Sequence, residues 1–287
     1  MSATLNVACV QNCATDNLTA NLKEIDLLIA EAVSKGAEFI ALPEACEFLS
    51  GDKEAMKAHA KPASEHRAFQ HLVTKAKHHG VWLLIGSLTM RDCNNNMVNR
   101  SSVVGPAGQL VATYDKIHMF DANVDGVRGS NESALYKPGE KACLAALPWG
   151  FLGMSICYDV RFPYLYRSLA KAGATLLSVP AAFMQATGEA GHWNTLLRAR
   201  AIETGCFVIA PAQYGNPYGA RQSYGHSLII APWGEILAEA VTEAGVITAT
   251  LDLEAVAAAR SRIMSLNHDR DFEAPAIGRP ATPQASR

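Results

Sequence analysis

Short apolar runs alternate with amphipathic stripes along almost the whole chain, and no other feature restricts the fold as much. Residues 5–10 are apolar and bounded by polar residues, the pattern of a buried strand. Leu18, Leu22, Ile25, Ile29 and Ala32 then recur at spacings of four and three, one face of a helix, and Gly36 is placed to cap its end. Residues 39–42 form the next strand and run into Pro43-Glu44. A helix is expected over 64–79 from Phe69, Leu72 and Ala76, then an apolar strand over 81–86. Further on, strands at 152–157, 174–179 and 206–211 alternate with helices at 163–172 and 191–204. Residues 246–251 and 253–262 read as a late strand and helix. Two pairs of apolar runs flank proline-glycine turns, at Gly105-Pro106-Ala107-Gly108 and at Ala231-Pro232-Trp233-Gly234. Both read as hairpins. Strands with intervening helices plus antiparallel hairpins imply an α/β protein with mixed sheets.

No low-complexity linker interrupts residues 1–270, so one domain over 1–273 is expected, with a proline-rich tail at 274–287. That tail is read as disordered or as an arm laid over a partner subunit. With 49% apolar and only 18% charged residues, the chain can bury an extensive core. The net charge of −2 gives no electrostatic case for nucleic acid or an acidic membrane as partner. The first residues lack the basic and apolar regions of a signal peptide, and no run approaches a membrane span. A soluble, cytoplasmic protein is the expectation.

Seven cysteines, at 9, 13, 46, 93, 143, 157 and 206, are scattered and form no Cys-x-x-Cys pair. Free thiols in a reducing compartment are expected. Cys9 and Cys206 sit in apolar runs and read as small buried hydrophobes. Cys157 differs. An apolar run rises into Ile156-Cys157, then turns polar and reaches Pro163, which suits a first helical turn. A thiol at such a corner stands at the open end of a sheet, where α/β enzymes place nucleophiles. Taken alone, it reads equally as a buried structural thiol.

Two other strand ends carry charge. Glu44 follows the strand at 39–42. It is either a loop glutamate in water or a half-desolvated carboxylate whose pKa burial raises, a better base. Lys116 follows the strand ending near Tyr114. It is either a snorkelling surface lysine or a buried cation that can hold an oxyanion. A carboxylate could take the thiol proton, and an ammonium would favour the thiolate. No His-Glu-x-x-His cluster, Gly-x-Ser-x-Gly elbow, Rossmann fingerprint or Walker lysine is present. Neither a metal, a serine hydrolase nor a nucleotide cofactor is therefore implied.

Leu42-Pro43-Glu44, Tyr114-Asp115-Lys116-Ile117-His118 and Ile156-Cys157-Tyr158-Asp159-Val160-Arg161-Phe162-Pro163 resemble the three signatures of the nitrilase (carbon–nitrogen hydrolase) superfamily, in the family's order. The resemblance covers roughly residues 4–272. It implies a four-layer αββα sandwich of two mixed β-sheets with outer helices, and a homodimer. It makes Glu44 the general base, Lys116 the oxyanion-stabilising lysine and Cys157 the nucleophile. Asn131-Glu132-Ser133 matches the family's second glutamate, so Glu132 is expected to orient Lys116 or the substrate. The Tyr158 N–H is expected as a second oxyanion donor. The residues after Cys157 look like the Nit branch, which includes deaminated-glutathione amidases and ω-amidases.

That branch implies hydrolysis of a primary amide of a small α-keto-acid substrate, such as deaminated glutathione, through a thioester and with release of ammonia. No cofactor is implied. Arg161 is then expected to grip the substrate carboxylate, or else to pair with Asp159 or Glu203. Phe183 and Thr187 match an apolar wall and a hydroxyl donor of the pocket. The segments 198–204 and 223–227 look closer to the deaminated-glutathione amidases. The segment 187–193 looks one residue longer than the family's usual run. His192, Trp193 and His226 are expected to pack the walls. Alternatives are an ω-amidase acting on α-ketoglutaramate or α-ketosuccinamate, an N-carbamoyl amine amidohydrolase, or a catalytically silent binding homologue.

Overall fold

A computed structural model describes residues 3–122, 130–219 and 222–275. The chain begins with β1 (Thr4–Gln11), α1 (Leu18–Ser34), β2 (Phe39–Ala41), α2 (Lys53–His59) and α3 (Arg67–His79). It continues through β3 (Trp82–Arg91), β4 (Met97–Val104) and β5 (Leu110–Asp115). Two short strands, β6 (Asp121–Ala122) and β7 (Ser130–Asn131), pair with each other. Then follow β8 (Cys143–Leu147), β9 (Gly150–Met154), α4 (Pro163–Lys171), β10 (Ala174–Ser178), α5 (Gln185–Glu189), α6 (His192–Thr204) and β11 (Phe207–Ala210). After the small pair β12 (Tyr214–Gly215) and β13 (Ser223–Tyr224) come β14 (Leu228–Ile230), β15 (Ile236–Glu239), β16 (Gly245–Asp252) and α7 (Glu254–Arg262).

Two six-stranded sheets result, ordered β16-β1-β2-β3-β4-β5 and β15-β14-β11-β10-β9-β8. Each has three parallel central strands, β1-β2-β3 in one and β11-β10-β9 in the other, flanked by antiparallel neighbours. Both expected hairpins form, β4 with β5 and β14 with β15.

Side-chain alternation stacks the layers. Val7 and Cys9 of β1 join Leu84, Leu152, Met154 and Leu176 in one core between the sheets. Ala8 and Val10, pointing the other way, pack with Ile25 and Ile29 of α1 and Leu72 of α3. Both faces of β1 are buried, which is why its sequence is a continuous apolar run. On the far side, Leu165 and Leu169 of α4 and Trp193 and Leu197 of α6 cover the second sheet. The order is therefore helices, sheet, sheet, helices.

Several elements differ from the expectation. The strand expected over 152–157 stops at Met154, and Cys157–Arg161 forms a 3₁₀ turn instead. The Ile156 N–H is taken by Asp159 Oδ2 at 2.8 Å, which curls the chain out of the sheet. The helix expected from 64 starts at Arg67, because His66 caps it by accepting from the Phe69 N–H at 3.3 Å. Helix α2 has only Met56 buried, so no stripe announced it; its start is fixed by the Asp52 cap, 2.8 Å from the Glu54 N–H. Among the described residues no helix is long and apolar enough to cross a membrane. Of the expected tail, residues beyond Pro275 lie outside the described residues.

Candidate active site

Glu44 is placed by a crossing that only glycine permits. Beyond β2 the chain runs over Leu42-Pro43 against Gly86 of β3. A Cβ at Gly86 would lie 1.9 Å from the Leu42 carbonyl oxygen. The next residue, Ala45, is left-handed at φ +48. Gln213 holds this turn: its Nε2 donates to the carbonyls of Glu44 and Ala45, each at 2.8 Å, and its Oε1 accepts from the Ala14 N–H at 2.7 Å. The Glu44 carboxylate, 5% exposed, accepts the Ala182 N–H on Oε2 at 2.8 Å and Asn99 Nδ2 on Oε1 at 3.0 Å.

Lys116 follows β5 and is 2% exposed. Its backbone is pinned on both sides, the N–H to the Asn99 carbonyl and the carbonyl to the Gly139 N–H. Nζ donates to Glu44 Oε1 at 2.9 Å and to both Glu132 oxygens at 2.9 and 2.8 Å. Glu132 is fixed in turn by the Phe120 N–H at 2.7 Å and Asn99 Nδ2 at 3.3 Å. Cys157, 8% exposed, opens the 3₁₀ turn after β9 with φ +47, and its N–H donates to the Pro180 carbonyl at 2.9 Å. A non-glycine residue in this region stores strain of about 1–3 kcal/mol, and such strain clusters at reacting groups.

The electrostatics reverse two expectations. Burial pushes the Glu44 carboxyl up, but the Lys116 charge and the hydrogen bonds outweigh it and hold Glu44 below the usual carboxylate range. Burial pulls Lys116 down, and the two carboxylates more than compensate, keeping its ammonium charged well past its ordinary range. At Cys157, burial and then the Glu44 charge push the thiol far up, and Lys116 only partly offsets them. The ammonium is thus committed to two carboxylates rather than to a thiolate. The resting site is carboxylate, ammonium and protonated thiol.

Glu44, Lys116, Glu132, Cys157, Tyr158, Arg161, Phe183 and Thr187 all line one cavity of about 460 Å³. Arg161 pairs with neither Asp159 nor Glu203. Asp159 is taken by Tyr114 and His118, and Glu203 by Arg200. The Arg161 guanidinium instead lies 3.3 Å from His192 Nδ1 and over the rings of Phe183 and Tyr158, at 5.5 and 6.0 Å. Phe183 packs on Trp193 with ring centroids 4.9 Å apart. The Thr187 hydroxyl already donates to the Met184 carbonyl at 3.0 Å, so it presents lone pairs to the cavity rather than the expected donor. Between α5 and α6 the chain turns through a left-handed Gly191 at φ +82.

Asn99 and Gln213, which no motif marks, carry much of the site's geometry, as does Asp159, which the sequence offered only as a partner for Arg161. Asp159 stands inside the Cys157 motif, and its neighbour in space, Tyr114, opens the Lys116 motif. The signal was present, with no spacing to join the two.

The model of the carbon–nitrogen hydrolase family matches residues 6–261. The chain belongs to the carbon–nitrogen hydrolase family. Among curated relatives, this carbon–nitrogen hydrolase is 41% identical over 265 residues to a deaminated glutathione amidase of Synechocystis, covering 91% of the chain and 96% of that protein. The NitFhit protein of C. elegans superposes with a TM-score of 0.86 at 35% identity, covering 93% of this hydrolase but 65% of the longer NitFhit chain. A mutant of the amidase from Nesterenkonia sp. AN1, with the acetamide moiety of fluoroacetamide added covalently at its active-site cysteine, superposes with a TM-score of 0.75 at 25% identity, covering 91% of this chain and 95% of that one.

Proposed function

We propose that this carbon–nitrogen hydrolase is a cysteine-dependent amidase that cleaves amides of small carboxylate-bearing, α-keto-acid substrates of the deaminated-glutathione type. The observation that carries the reading is the buried Lys116 ammonium clamped between Glu44 and Glu132 in the cavity that also holds Cys157 and Arg161. The relatives named as deaminated glutathione amidases favour that substrate class.

Glu44 takes the Cys157 proton as the sulfur attacks the amide carbon, so the thiolate is made only where it is used. The carbonyl π electrons move to oxygen, and Lys116 with the Tyr158 N–H holds the resulting oxyanion. Collapse expels the nitrogen, which receives the proton held by Glu44. For deaminated glutathione itself the amide is secondary and the departing group is an amine; ammonia leaves from an ω-amide. Water, activated by the regenerated Glu44 carboxylate, then attacks the thioester, and the acid and the free thiol are released. Glu132 keeps Lys116 charged and aimed throughout. Arg161 has no carboxylate partner among the described residues, and its position in the cavity wall suits the substrate's carboxylate.

Intact-protein mass spectrometry with deaminated glutathione, α-ketoglutaramate and an N-carbamoyl amine tests the proposal. A covalent adduct that maps to Cys157 and is lost in Cys157→Ala, with keto-acid release by the unmodified protein, is expected. Full turnover by Cys157→Ala would overturn the mechanism.

A further inference from the structure

Three residues beyond Glu44 the chain buries another carboxylate, outside the cavity. Glu47 is fully buried. Its Oε1 lies 3.2 Å from His59 Nε2 and 3.9 Å from His66 Nε2, and its Oε2 has no hydrogen-bond partner among the described residues. The ligand atoms of the three side chains all lie within 4.8 Å of one another. Hydrogen bonding accounts for only the first of these approaches. The second is too long for a hydrogen bond, and a buried carboxylate oxygen with no partner is costly.

A tetrahedral ion with N and O ligands at about 2.1 Å sets neighbouring ligand atoms about 3.4 Å apart. The two Glu47–histidine separations bracket that value. We propose that Glu47, His59 and His66 bind one divalent ion of the borderline class, Zn²⁺ in type, with water completing the coordination. Two imidazoles and a carboxylate suit such an ion better than Mg²⁺ or Ca²⁺, which take oxygen ligands.

The surroundings orient the ligands. The His59 ring stacks on Phe48 at 4.2 Å and meets the His66 ring edge-on at 5.1 Å. Asn21 Nδ2 donates to the Glu47 carbonyl at 2.8 Å. Without an ion, His66 Nε2–H faces the Thr89 carbonyl at 3.2 Å while Nδ1 caps α3. Ligation through Nε2 moves the ring's single proton to Nδ1, which then confronts the Phe69 N–H. Ion binding therefore frees that amide, a consequence that a purely structural cluster lacks. Glu47 lies within the segment 44–51 that supplies the base and part of the cavity wall, and the two histidines lie beyond it, so the ion would tie that segment to the start of α3 and stiffen it.

The test uses the full chain carrying Cys157→Ala, to remove the active-site thiol, with Co²⁺ alone and Zn²⁺ alone as probes. Expected are one equivalent of Co²⁺ with a visible ligand-field band and no thiolate charge-transfer band, displacement by Zn²⁺, and faster hydrogen exchange at the Phe69 amide. His59→Ala should weaken binding at least about 100-fold, as should Glu47→Gln. No binding up to about 1 mM Co²⁺, a thiolate spectrum, or undiminished binding by folded His59→Ala would each overturn the proposal.

Discussion

The Tyr114 hydroxyl donates to Asp159 Oδ2 at 2.7 Å, joining the two sheets at the point where each contributes to the site. Asp159 is fully buried, and it also accepts the Ile156 N–H on Oδ2 and the His118 N–H and ring nitrogen on Oδ1. Tyr114 and His118 flank Lys116; Ile156 and Asp159 flank Cys157. One carboxylate thus ties the segment carrying Cys157 to the segment carrying Lys116.

Asp159→Asn tests that role. An amide keeps one accepting oxygen and turns an NH₂ toward groups that themselves donate. Turnover should fall on the order of 10²-fold, as for a misplaced oxyanion donor, with KM changed little. A stability loss of about 1–3 kcal/mol should accompany it. Steady-state kinetics and thermal melts measure both, and unchanged kcat with a raised KM would contradict the positioning role.

Stability should depend on pH at both ends of the range. Glu44 is held below its ordinary 4.5, so its contribution is complete above that pH and lost as pH falls through the depressed folded value. Lys116 is held above its ordinary 10.5, so its contribution is complete below that pH and lost as pH rises through the raised value. Urea midpoints should therefore fall in acid below about pH 4.5, with a slope from one group of at most about 1.4 kcal/mol per pH unit. In Glu44→Gln that share of the acid slope should vanish. An acid limb identical in the two proteins would refute the assignment.

Arg161→Lys replaces a two-nitrogen fork by a single ammonium. It should reduce kcat/KM for carboxylate-bearing amides about tenfold or more while leaving neutral amides near the unmodified rate. Parallel assays on a keto-acid amide and its methyl ester decide the matter, and equal losses would reject a carboxylate contact.

Gly86→Ala should damage stability and turnover together. Its Cβ meets the carbonyls of both Leu42 and Pro43, which are backbone and cannot rotate aside. Losses of about 1–3 kcal/mol are expected from overpacking, with a drop in kcat because Glu44 is carried on the displaced segment. Denaturant unfolding and kinetics on one preparation would show both effects.

Strand and helix periodicity announced the sheets, because β1, β2 and β10 are buried on both faces and read as plain apolar runs. The strand end carrying Glu44 was readable for the same reason, whereas the half-exposed strand before Lys116 was marked by its proline-glycine turn and the strand before Cys157 ends three residues earlier than its apolar run. What the sequence withheld were relations across space. Ala45 gives no local hint of its left-handed turn, since Gln213, far along the chain, holds it. The protonation states also stayed hidden. Whether burial or charge wins at Glu44 depends on Lys116 lying 2.9 Å away, which no spacing reveals. Glu47, His59 and His66 match no ligand spacing, and only the fold gathers them.

Glu44 and Lys116 hang from one sheet and Cys157 from the other, and β16 returns the chain's last strand to the first sheet beside β1. Neither sheet by itself carries a working set of groups. Under the proposed mechanism, activity therefore requires the two sheets to be docked face to face, and a chain with only one of them formed has no complete site.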